Sequence, residues 1–154
     1  MTMTYQFLAL GCLSASGTYM TWSDVMYRRL PNLVTGILAL GGLAACLAYF
    51  GPNQMFNNLL HMVIALGVGF VVAATSITGS GDAKYYAAVA AWFPLVESLQ
   101  LLGWVSVAGF LVTLVWLIFA GLDTNSENAG HRFDNVPFGV AIASGSVACM
   151  IGLL

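Results

Sequence analysis

The stretch GSGDAKYYAAVAAWFP occupies residues 79–94. It places Asp82 and Lys84 between apolar runs, in a chain of 154 residues that is 60% hydrophobic and 6% charged. Soluble domains carry roughly 25% charged residues. Four basic and six acidic side chains are too few to cover the surface of a water-soluble fold of this size. With a mean hydropathy of +0.89, the composition predicts an all-α integral membrane protein. In such a protein an ionisable residue at membrane depth is costly, and it marks a functional position by default.

Outward from this stretch, hydrophobic runs and polar breaks divide the chain into six segments: Tyr5 to Trp22, Leu33 to Phe50, Asn57 to Ile77, Ala83 to Phe93, Ser98 to Leu122 and Val136 to Leu154. They predict six transmembrane helices forming one polytopic domain over residues 1–154. A helix needs about 20 residues to cross a ~30 Å hydrocarbon core, whereas the fourth segment, as a helix, covers only about 16 Å. Its approach, Thr78 to Asp82, is therefore expected to lie within the membrane as an unwound turn, tolerated where protein or a hydrated cavity satisfies its polar groups. Gly79 and Gly81 suit such a turn, since glycine accepts positive φ and close backbone approach.

The basic residues set an orientation. Arg28 and Arg29 fall in the first connection, Lys84 just after the third segment and Arg132 in the fifth connection. With six crossings and the N-terminus outside, all four lie on the cytoplasmic side, together with Asp24 and Asp82. Residues 1–22 contain no Lys or Arg and so lack the positive n-region of a signal peptide; the segment reads as a mature span.

Other function classes are disfavoured. Four basic residues make no phosphate-binding patch, so no nucleic-acid partner is expected. Cys12, Cys46 and Cys149 stand alone in apolar segments, which signals neither zinc nor a disulfide framework. No metal or organic cofactor is expected.

Of the six carboxylates, Asp123, Glu127 and Asp134 lie in the polar connection LDTNSENAGHRFDN, and Glu97 follows Pro94 at an outer helix end; solvation suffices for all four. Asp24 and Asp82 remain. Two aspartates at close range cannot both ionise and share one proton. Such a pair supplies a base to activate water and an acid to polarise a scissile carbonyl. The plainer reading has Asp24 paired with Arg28 and Asp82 capping the fourth helix, Asp being a favoured capping residue. Spacing alone leaves both readings open.

The surrounding words are more specific. Asp24 stands in DVMYRRLPN, Asp82 in GSGDAKYYAAVAAW, and VPFGVAIASG follows from Val136. Together, in order, they resemble the type IV prepilin peptidases, GxGD intramembrane aspartic proteases. The resemblance implies Asp24 and Asp82 as the catalytic pair. Its supporting motif residues here are Arg28 or Arg29 with Pro31 and Asn32, then Gly79, Gly81 and Lys84, then the proline-led last helix at Pro137. It further implies a prepilin substrate, cut at the cytoplasmic face behind a short basic leader, in a bacterial inner membrane. Longer relatives carry a zinc-binding methyltransferase domain between the first two helices. Here that connection, Ser23 to Asn32, is about ten residues long without cysteine, so a peptidase without methyltransferase activity is expected, similar to those serving Flp-type tight-adherence pili.

The remaining features have plain readings beside functional ones. Lys84 either holds substrate or tunes Asp82, or anchors its helix at the headgroups. His61 reads as a hydrogen-bonded interior residue, and His131 as solvated. The alanines at 87, 88, 90 and 91 and the glycines at 36, 41, 42, 67 and 69 read as close helix-packing faces. Asp123, Glu127 and Asp134 are candidates for attracting a basic leader. Two rival functions stay open: a GxGD protease for preflagellins or signal peptides, and a small transporter or scaffold using its acids for ions or packing. Nothing in the sequence fixes an oligomeric state.

Overall fold

A computed structural model describes residues 3–27, 30–75, 79–122 and 138–153. Within them the fold is all-helical: α1 (Met3–Tyr27), α2 (Asn32–Phe50), α3 (Pro52–Ala74), α4 (Ser80–Ala90), a short 3-10 helix (Leu95–Glu97), α5 (Ser98–Leu122) and α6 (Phe138–Gly152). Among the described residues, three stretches are long and apolar enough to cross a membrane: Asn32–Phe50, Pro52–Ala74 and Leu95–Ile118; Phe138–Gly152 is apolar but shorter. The chain is thus a helical membrane protein. α1 has the length, at 25 residues, but carries serines and threonines. Ser16 and Thr18 bond back to the carbonyls of Cys12 and Ser14, which satisfies them within the helix.

α4 is the central element. It packs against α2, α3 and α6, and residues 87–94 are all buried, although its opening carries the chain's rare charges. Small side chains permit this. Ala87, Ala88, Ala90 and Ala91 are 3% exposed or less, as the close-packing reading expected. Between membrane helices, van der Waals contact and hydrogen bonds replace the hydrophobic drive, so close approach matters more than bulk. α1 buries one stripe at helical spacing, Tyr5, Ala9, Leu13, Gly17 and Met20, and turns it towards α6. α5 lies outermost, packed on α6.

The packing glycines divide. A Cβ at Gly42 would meet the Trp92 indole at 2.9 Å, and one at Gly69 would meet the Ala83 Cβ at 2.8 Å, so these two contacts depend on glycine. Gly41 lies only in ordinary contact distance of Trp92, while Gly36 and Gly67 face open space. For those last two the packing expectation is corrected: a glycine's place on a helix gives no sign of which face meets protein.

α4 ends inside the protein, where exposed carbonyls are costly. Three successive carbonyls there receive three side chains. Asn58 Nδ2 donates to Ala91 O at 3.0 Å, Tyr5 Oη to Trp92 O at 2.8 Å, and His61 Nδ1 lies 3.0 Å from Phe93 O. The His61 contact requires the proton on Nδ1. Trp92 Nε1 in turn donates to Leu38 O of α2 at 3.0 Å, over Gly42. His61 is therefore the hydrogen-bonded interior residue the sequence suggested.

Several boundaries move. α1 continues to Tyr27, so Asp24 sits within a helix rather than in the connection, and only residues 28–31 separate α1 from α2. The second connection shrinks from six residues to Gly51, whose φ of 83° makes a tight hairpin possible. The GxGD word is also more helical than expected. Gly79 is extended, with φ −76° and ψ 148°, and the helix starts at Ser80; Gly81 and Asp82 form its first turn. Neither GxGD glycine has positive φ, because a helix N-terminus needs only extended backbone at its cap.

Candidate functional site

The end of the bundle opposite the Asn58–Tyr5–His61 cap collects the C-terminal end of α1 and the N-terminal ends of α2, α4 and α6. Chain direction alone brings the sequence words together there. Asp24 lies one turn before the end of α1, Asn32 opens α2, and Asp82 and Lys84 stand in the first turns of α4.

The two aspartates are held alike. Asp24 Oδ2 accepts the backbone N–H of Gly139, in the first turn of α6, at 2.9 Å. Asp82 Oδ2 accepts the N–H of Gly79, the residue capping α4, at 3.1 Å. Each carboxylate thus satisfies an amide that a helix start leaves without an intrahelical partner, and the positive end of a helix dipole favours its negative charge. Both are half-buried, and they lie near enough for their charges to oppose one another. The plainer reading of Asp82 is realised in this contact: its side chain does serve the helix start, from the third helical position rather than the cap itself. That contact occupies Oδ2.

The glycines set the fit. A Cβ at residue 139 would stand 2.7 Å from Asp24 Oδ2, and one at residue 79 would stand 3.2 Å from Asp82 Oδ2. Sequence reasoning named Gly79 but overlooked Gly139, although it lies in the quoted VPFGVAIASG; the signal was a glycine two residues beyond a proline, a residue type favoured at helix starts.

The second-motif lysine meets the first-motif asparagine: Lys84 Nζ donates to Asn32 Oδ1 at 3.3 Å. Leu30 rests on Gly81, within 3.6 Å of where its Cβ would be, so this leucine closes over the start of α4. Pro31 caps α2 with extended backbone and receives Thr35 Oγ1 on its carbonyl at 3.0 Å. Arg28, Arg29 and Pro137 lie outside the described residues, as do His131, Arg132 and the acids Asp123, Glu127 and Asp134. Glu97 departs from a simple solvated role. It lines a cavity of about 310 Å³ with Tyr5, Gln54 and Asn58 at the far end, and its Oε2 is buried without a hydrogen-bond partner among the described residues.

A helical membrane protein with two carboxylates held at the same end of its bundle is a class with few chemical uses, and proton transfer at a bound substrate is one of them. The chain belongs to the type IV leader peptidase family, whose family model matches residues 11–122. That match takes in both aspartates, and membership implies a protease. Comparison with curated proteins and with solved structures returned no match.

Proposed function

We propose that this chain is an aspartic endopeptidase that removes the basic leader from Flp-type prepilins at the cytoplasmic face of a bacterial inner membrane, with Asp24 and Asp82 as its catalytic pair and without methyltransferase activity. The observation that carries the reading is the convergence of Asp24 and Asp82, each fixed by the amide of a glycine at a helix start. Family membership supplies the reaction class.

In this mechanism one carboxylate takes a proton from a water held between the pair, and the water oxygen bonds to the scissile carbonyl carbon. The other, protonated, carboxyl gives its hydrogen bond and then its proton to the carbonyl oxygen. Collapse of the tetrahedral intermediate breaks the C–N bond, and the amine leaves with the proton that the base had taken. The apparent pKa values of such a pair belong to both residues together. Helical substrate hides its carbonyls in hydrogen bonds, so the segment cut must be extended. Six crossings with the N-terminus outside put Arg28, Arg29, Lys84 and Arg132 inside, in line with the basic-residue bias of cytoplasmic connections.

The test is cleavage of a co-expressed Flp-type prepilin, read by gel shift and N-terminal mass. Wild type is expected to cut at the leader boundary, and Asp24→Asn and Asp82→Asn, at equal membrane levels, to leave the precursor whole. Cleavage at the wild-type rate by either variant removes that aspartate from the mechanism.

A further inference from the structure

At the end of the bundle away from Asp24 and Asp82, the cavity of about 310 Å³ is lined by Tyr5, Gln54, Asn57, Asn58 and Glu97, and by Val96, which is 89% exposed. The bonds already made around it fix what each polar group still offers. Asn58 Nδ2 donates to Ala91 O at 3.0 Å, which leaves Asn58 Oδ1 as an acceptor. Gln54 must then meet that oxygen with Nε2, at 3.4 Å, so its own Oε1 is left over. Tyr5 Oη spends its hydrogen on Trp92 O at 2.8 Å and keeps acceptor capacity. Glu97 Oε2 is buried with no hydrogen-bond partner among the described residues. Glu97, Gln54 and Tyr5 thus each hold an unanswered acceptor, and no Lys or Arg lines the cavity among the described residues.

We propose that this cavity binds a primary ammonium group, carried by the headgroup of phosphatidylethanolamine or by a free small amine, with Glu97 as its counter-ion and Gln54 Oε1 and Tyr5 Oη as further acceptors. The site is separate from the peptidase reading and does not depend on it. A carboxylate oxygen taken out of water without a donor is costly, and the neutral acid is no better served at Oε2, which finds no partner of either kind. An ammonium brings three N–H donors and the missing positive charge together. A divalent metal fits poorly: calcium and magnesium take six or more oxygens, usually with several carboxylates. Here one carboxylate lines the cavity, and no group of three metal-ligating side chains exists among the described residues. At about 30 Å³ per water the space exceeds a single ion, as a headgroup requires. The position agrees as well. The candidate spans Asn32–Phe50, Pro52–Ala74 and Leu95–Ile118 end or begin beside the cavity, which sets it at the depth of lipid headgroups. Val96 offers an apolar surface at the same place for the start of an acyl chain.

Lipid titration of the full chain, purified and delipidated in detergent, tests this by native mass spectrometry and thermal unfolding. Phosphatidylethanolamine is compared with phosphatidylcholine of the same acyl chains, whose nitrogen has the same charge but no N–H, and with free ethanolamine. Phosphatidylethanolamine is expected to bind the wild type at least about tenfold more tightly than phosphatidylcholine, as the loss of charge-assisted hydrogen bonds implies, and to raise Tm with concentration. Glu97→Gln removes the counter-ion and Gln54→Leu an acceptor. Each is expected to erase most of that preference, and the second decides the matter if the first does not fold. Free ethanolamine identifies the source: a rise in wild-type Tm with ethanolamine alone, absent in Glu97→Gln, assigns the site to small amines, and a response to the lipid alone assigns it to the headgroup. Equal binding of the two lipids, a preference that survives in Glu97→Gln, or no response to either amine overturns the proposal and leaves a cavity filled by water.

Discussion

Asp24 and Gly139 stand 115 residues apart in sequence and 2.9 Å apart in space, the Gly139 N–H donating to Asp24 Oδ2. The bond joins the end of α1 to the start of α6, and α1 and α6 pack along their shared face. One of the two proposed catalytic carboxylates is thereby aimed by the last helix, which lies beyond the 11–122 stretch matched by the family model.

Gly139→Ala tests that aiming. A methyl group 2.7 Å from Oδ2 and 3.1 Å from Cγ leaves the carboxylate no room where it now sits. A displacement on the order of 1 Å near reacting atoms costs up to about 100-fold in rate. The variant is expected to reach the membrane at normal levels and to cut prepilin at least about tenfold more slowly, measured as initial rate per inserted enzyme. A wild-type rate would show that the position of Asp24 does not depend on this bond.

The packing glycines give a prediction of opposite signs. Gly42→Ala drives a methyl group into the Trp92 ring at 2.9 Å and the Ala91 carbonyl carbon at 3.1 Å, where backbone cannot yield easily. Overpacking of this kind costs about 1–3 kcal/mol. Gly36→Ala meets nothing within 4 Å and gains up to about 1 kcal/mol of helix propensity. Thermal unfolding in detergent should lower Tm for Gly42→Ala, and leave it level or raised for Gly36→Ala. Equal shifts in the two would contradict the packing described.

Lys84 and Asn32 join the two motifs through a single exposed contact of 3.3 Å. Exposed charged pairs contribute about 0–1 kcal/mol, and a long bond to a neutral amide belongs at the low end. Lys84→Gln and Asn32→Ala are each expected to cost less than about 1 kcal/mol of stability, and the double variant no more than the larger single effect. A double-mutant cycle read by thermal unfolding decides this, with full additivity as the outcome that denies the coupling.

What the sequence made legible follows from what kind of signal each feature leaves. Composition and run length gave the helical membrane fold and the short fourth helix, since bilayer thickness acts on every residue of a span. Asp24 and Asp82 stood out because a charge is rare in such a chain. Gly139, Tyr5 and Asn58 did not. Their roles are contacts between distant helices, and a tyrosine near a membrane boundary or an asparagine near a helix start is ordinary by itself. The GxGD turn was read as unwound from a length deficit; the structure instead meets that deficit by letting α4 end internally, with its carbonyls satisfied by side chains.

That internal end supplies the last prediction. Asn58 is 1% exposed, as is Tyr5, and each donates to a carbonyl just beyond α4. Asn58→Leu keeps the branched heavy-atom layout and Tyr5→Phe the ring, and each removes the donor, leaving the Ala91 or Trp92 carbonyl buried and unmatched. Orphaning a buried polar group costs about 1–3 kcal/mol, while hydrogen bonds measured within a bilayer average nearer about 0.6 kcal/mol because the unfolded chain finds other partners. A helix end fixed inside the bundle has few such partners, so the larger range applies. Both variants should lose Tm in detergent, Asn58→Leu more if Gln54, which donates to Asn58 Oδ1 at 3.4 Å, is left unmatched as well. The cap lies at the opposite end of the bundle from Asp24 and Asp82, so cleavage per folded molecule, assayed well below Tm, should remain close to wild type. A drop in specific activity without a drop in Tm would mean instead that the end of α4 reaches the site through the helix itself.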